Sequence, residues 1–143
     1  MHARSKMPLG ARAVALTALL WNLFGVLVFV MQISMTPAQR ALLPADQQQI
    51  GAAMPDWVYM VFGVATVAGS LGSIGLLLAR RWCQPLLLLS FVAVLVQMAA
   101  SYALTPVWAL TGVRGALFPL LLIVVVATIW QFSRSAARRG WLR

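Results

Sequence analysis

Four amides stand inside apolar runs of this chain, and one of them, Gln131, lies at the end of the last run where it can reach headgroups. Asn22 and Gln32 interrupt ALLWNLFGVLVFVMQ, and Gln97 interrupts QPLLLLSFVAVLVQ. An amide without a hydrogen-bond partner in an apolar medium costs roughly 2–7 kcal/mol. Each must therefore find a second helix, a backbone carbonyl or a water-filled cavity. Helical spacing puts Ala15, Ala18, Asn22, Gly25, Phe29 and Gln32 on one small and polar face. The same spacing aligns Ser90, Ala93, Gln97 and Ser101. Asn22, Gln32, Gln97 and Ser101, with Trp21 as an aromatic wall, form the candidate polar site within the membrane. Two chemistries are open to it. Asn22 and Gln97 lie nearest the middle of their runs and could bond each other as interhelical glue, worth about 0.6–2 kcal/mol. Alternatively, the amides line a cavity for a polar solute.

Other chemistry is hard to assemble. The chain holds one histidine, His2, one cysteine, Cys83, and two acids, Asp46 and Asp56. A Ser-His-Asp or Cys-His set is not expected from these, nor is a metal site. A lone cysteine makes no internal disulfide and no CxxC motif. Gly69, Gly72 and Gly75 fall in a helical pattern without the Lys-Ser/Thr that follows a phosphate-cradling loop. The reading is of a protein that is not an enzyme and carries no cofactor.

The composition places these residues in a bilayer. Of 143 residues, 62% are hydrophobic and 9% charged, against roughly 45–50% and about 25% in a soluble domain. Four runs reach the length of about 20 residues that a spanning helix needs: about 13–35, 57–79, 85–104 and 115–132. None contains Asp, Glu, Lys or Arg. The first exceeds the roughly 7–15 apolar residues of a signal peptide and has no small-residue cleavage site at the right distance, so it reads as an uncleaved helix. The expected fold is all-α: a single integral-membrane domain of four antiparallel helices. The segment at about 36–56 is its long outer connection. There Thr36-Pro37 reads as a cap and a first-turn proline, before either a short interfacial helix or irregular loop.

The net charge of +9 gathers at the ends of the runs, which fits a membrane surface better than nucleic acid. Arg4, Lys6, Arg12, Arg80, Arg81, Arg134, Arg138, Arg139 and Arg143 fall on one side. Only Arg40 and Arg114 of the eleven basic residues fall on the other. The positive side stays cytoplasmic, so both termini are expected inside, in a bacterial inner membrane. Arg80, Arg81, Arg134, Arg138 and Arg139 would meet anionic headgroups. Trp57, Tyr59, Tyr102, Trp108, Trp82 and Trp141 read as interfacial anchors. No span holds Asp, Glu, Lys, Arg or His, whereas ion-coupled transporters usually carry one of these. The small multidrug-resistance transporters, for instance, depend on an intramembrane glutamate.

The second run, VFGVATVAGSLGSIGLLLA, carries Ala65, Ala68, Gly69, Gly72 and Gly75 as a ridge of small residues. Such ridges let helix backbones approach closely, within the chain or between copies. Trp21-Asn22, Pro55-Asp56-Trp57, the Gly69/Gly72/Gly75 ridge and Arg80-Arg81-Trp82 together resemble a family of small four-helix bacterial inner-membrane proteins. Some of these carry the label "sugar transporter". The resemblance spans roughly residues 13–100 and implies a multi-pass protein with no assigned binding residues. Two functions are expected. One is a subunit, assembly factor or modulator of a membrane complex, acting through helix contacts. The other is a facilitative transporter of a small, sugar-like polar solute, acting as a homo-oligomer.

Overall fold

The computed structural model describes residues 6–143, so His2 and Arg4 lie outside it. The described residues are helical, without strands. The elements are α1 (Leu9–Ile33), α2 (Pro37–Ala41), α3 (Ala45–Ala53), α4 (Asp56–Leu77), α5 (Cys83–Leu104) and α6 (Val107–Arg138). α1, α4, α5 and α6 are long and apolar enough to cross a membrane. At about 1.5 Å per residue, the 22 residues of α4 span about 33 Å, close to the roughly 30 Å hydrocarbon core. The 32 residues of α6 reach well past it.

The helix ends follow local chemistry. Thr36 Oγ1 accepts the Gln39 amide at 3.3 Å, and Gln39 Oε1 accepts the Thr36 amide at 2.9 Å, a reciprocal cap for α2. The outer connection thus holds two short helices. Gln48 Nε2 ties α3 back to the carbonyls of Ala41 and Leu43, at 3.0 and 2.7 Å. α4 ends with Ala79 at φ 56°. The Arg80 amide donates to Gly75 O at 2.8 Å and the Ala79 amide to Leu76 O at 3.0 Å, the Schellman pattern that glycine usually completes. The segment before residue 115, expected to be a connection, is largely helical. Pro106 precedes a turn that begins at Val107, and Gly112, at φ 55° and ψ −149°, breaks it from the rest of α6. Only glycine visits that region readily.

α4 lies between α1 and α5, and α6 packs on α5. The small residues explain this order. All five ridge residues, Ala65, Ala68, Gly69, Gly72 and Gly75, are buried. A Cβ on Gly72 would sit 2.7 Å from Leu87 Cγ, and one on Gly75 2.7 Å from the Trp82 ring. A Cβ on Gly69 would overlap Asn22 Oδ1 and lie 2.9 Å from Ser90 Oγ. The ridge therefore has two sides, one against α1 and one against α5. As α1 advances from Asn22 to Phe29, its contacts on α4 step back from Ser73 to Gly63.

The main core lies at the end where Arg80 and the C-terminal residues meet. It joins Ala11, Ala15 and Ala18 of α1 to Leu76, Cys83, Leu87, Ile129 and Ala136, closed by Met7 and Leu142. A smaller core of Ala65, Ala93, Val94 and Val126 continues along α4, α5 and α6. The opposite faces of α1 and α6 expose Leu20, Phe24 and Leu27, and Leu117, Phe118 and Leu121. In hydrocarbon such a face costs nothing, because lipid tails are as apolar as leucine.

Candidate functional site

The polar residues of the spans divide into two places. The first is a packing node. Asn22 is buried where α1 meets α4, and its Nδ2 donates to Ala18 O at 2.8 Å and to Ser73 Oγ at 3.2 Å. Ser90 Oγ, on the other flank, donates to Ala65 O at 2.7 Å. Thr66 and Ser70 turn their hydroxyls onto carbonyls of their own helix. Among the described residues, every buried side-chain nitrogen and oxygen has a partner. Three helices thus meet on short hydrogen bonds, and glycine at 69 gives the room. Trp21, half-buried, packs against the main core beside this node.

The second place is a cavity of about 680 Å³ at the other end, within the roughly 300–1,000 Å³ range of small-molecule pockets. The end of α1, the two short helices, the start of α4 and Gln97 of α5 line it, and it is open on one side. Gln32, Gln47, Tyr59 and Gln97 bring polar groups to it, and Met35, Leu43, Ile50, Met54 and Val58 are apolar. The Gln32 and Gln97 side chains make no hydrogen bond to the described residues, whereas Gln48 is spent on holding α3. Ser101 lies behind Gln97. Its hydroxyl donates to Gln97 O at 2.8 Å and approaches Met54 Sδ at 3.8 Å.

The anticipated Asn22–Gln97 contact is absent. Asn22 sits at the level of Ser90. Gln97 is seven residues further along α5, about 10 Å away along the axis. Of the five candidates, Gln32 and Gln97 share the cavity, Ser101 supports it through Met54, and Asn22 and Trp21 belong to the node. The cavity also uses Tyr59, Gln47 and Arg40. Tyr59 was readable as an interfacial anchor, but Gln47 and Arg40 fell in a connection with no periodic pattern to aim them. Arg40 itself is held near Met35, with Nε donating to Met35 O at 3.4 Å. No protein-family model, curated protein or solved structure matches this chain.

Proposed function

We propose that this chain is a non-enzymatic, multi-pass protein of a bacterial inner membrane that takes up a small, neutral, hydroxyl-rich solute in the Gln32–Gln97 cavity. Binding there is the first step of facilitative movement across the bilayer. In this reading the four long helices are antiparallel and both termini face the cytoplasm, so the cavity opens outward. The supporting observation is that two amides from different helices reach one cavity without protein partners. Gln32 is exposed and Gln97 half-buried, so both are open to a solute that enters. A carboxamide offers both a donor pair and an acceptor, which suits hydroxyl groups. The packing node closes the route beneath the cavity, so passage needs α1 to part from α4. The ridge of small residues is occupied within the chain, which takes away the main motive for a role built on contacts with another protein.

The test uses purified full-length protein, with monosaccharides and short polyols as probes. Binding is read by calorimetry and flux in proteoliposomes. Gln32→Leu/Gln97→Leu should weaken binding and flux by at least about tenfold, the loss of roughly 1.4 kcal/mol, while melting in detergent stays at or above the parent value. A double variant that melts lower but keeps its flux would make the amides structural and end this reading.

A further inference from the structure

We infer that the cleft at the opposite end of the molecule binds a phosphate-bearing anion with more than one negative charge. The cleft, about 340 Å³, lies between the start of α1, the α4–α5 connection and the C-terminal residues. Lys6, Arg12, Arg80 and Arg143 line it, with Trp141 and Met7 among its walls. Four cationic side chains from three separate stretches of chain converge on one concave site that has no acidic side chain in its lining, and the Arg143 carboxyl group there is engaged by the Arg81 amide. Asp56 opens α4 and Arg80 follows its end, so the nearer acid in sequence is about 33 Å away along that helix.

The backbone holds this crowding in place. The Arg143 amide donates to Ala79 O at 2.7 Å, and Arg143 O accepts the Arg81 amide at 2.7 Å. Leu142, 3% exposed, anchors the same segment in the core. Ala79 takes a positive φ to make this meeting point. The four side chains are exposed, and the backbone pairing brings the stretches that carry Arg80 and Arg143 side by side at the cleft. α1 adds to the field. It starts beside the cleft with no capping side chain and no acid in its first turn, so its positive pole is uncompensated. Guanidinium groups match phosphate oxygens two bonds at a time. A lipid headgroup and a free phosphate compound offer this same chemistry.

The experiment takes full-length protein in a neutral detergent. One arm titrates pyrophosphate by calorimetry. The other counts phosphatidylglycerol or cardiolipin retained from mixed micelles against phosphatidylcholine. Arg12→Gln/Arg80→Gln should weaken binding by about tenfold or more. The charge-matched pair Arg134→Gln/Arg138→Gln, on α6, should change it by less than about twofold. Lys6→Gln/Arg143→Gln lies on the chain ends, outside the helices, and carries the same expectation as the first cleft pair should that pair fail to fold. Loss in the lipid arm alone assigns the site to a headgroup, and loss with pyrophosphate alone to a soluble phosphate. Equal loss in the cleft and control pairs reduces the effect to general surface charge and overturns the inference. Failure of the parent protein to bind either probe overturns it too.

Discussion

Asn22 and Gln97 are the same kind of side chain in the same kind of run, yet the fold uses them differently. Asn22 spends its amide hydrogens on Ala18 O and Ser73 Oγ inside a sealed contact. Gln97 keeps its side-chain amide for the cavity. This division gives a measurable pattern. A double-mutant cycle on Asn22→Ala and Ser73→Ala should show favourable coupling of about 0.6 kcal/mol, the usual scale for a hydrogen bond between membrane helices. The cycle on Asn22→Leu and Gln97→Leu should be additive within about 0.5 kcal/mol, as for groups that share no partner. Denaturant or thermal unfolding in detergent reads both cycles. Coupling in the second cycle and none in the first would move Asn22 out of the node.

At the scale of elements, α6 carries a defect that α5 repairs. Pro119 lies inside the helix and has no N–H to give to the carbonyl four residues back. That carbonyl is Gly115 O, and the Tyr102 hydroxyl donates to it at 2.9 Å. The tyrosine that read as an interfacial anchor thus also clasps α5 to α6, next to the break at Gly112. Tyr102→Phe should cost about 1 kcal/mol by stranding the carbonyl. In a Pro119→Ala background, the restored backbone donor should cut that cost to about half or less. Equal costs in the two backgrounds, by chemical denaturation, would show that Tyr102 acts through its ring alone. The same end of α5 and α6 packs Tyr102 against Trp108, with centroids 6.4 Å apart. At the other end Phe91 stacks on Trp130 at 5.7 Å, and Arg134 lies 5.1 Å over the Trp130 ring. The α5–α6 contact is therefore fastened at two levels by aromatic groups.

For the whole molecule, the uneven charge distribution makes the proposed orientation testable. Reporters active only in the periplasm, fused after Arg143 or inserted near Gln48, should be silent and active respectively. The reverse result would place the anion cleft outside and the amide cavity inside. The molecule is also unequal across its width. Half of the α4 residues are buried, a larger share than in α1 or α6, which each show a broad apolar face. That inequality arises because α4, thin at glycine and alanine, takes α1 and α5 in close contact on its two sides, whereas α1 and α6 lie at the ends of the row.

The four long apolar helices were legible because periodicity and length act locally: a run of about 20 uncharged residues has few other ways to satisfy its backbone in a bilayer. The cap at Thr36 and the closeness of the α4 ridge were legible for the same reason, since each depends on one residue type and its neighbours. Helix order and depth were not, because they depend on which surfaces meet. Only the tertiary structure put Asn22 beside Ser73 instead of Gln97, two helical turns of α5 away from the depth a sequence comparison suggested. Only it folded an unpatterned connection into a cavity over Gln32 and Gln97. Likewise, Lys6, Arg12, Arg80 and Arg143 share a cleft because two backbone hydrogen bonds join chain segments more than sixty residues apart, a proximity that no local pattern encodes.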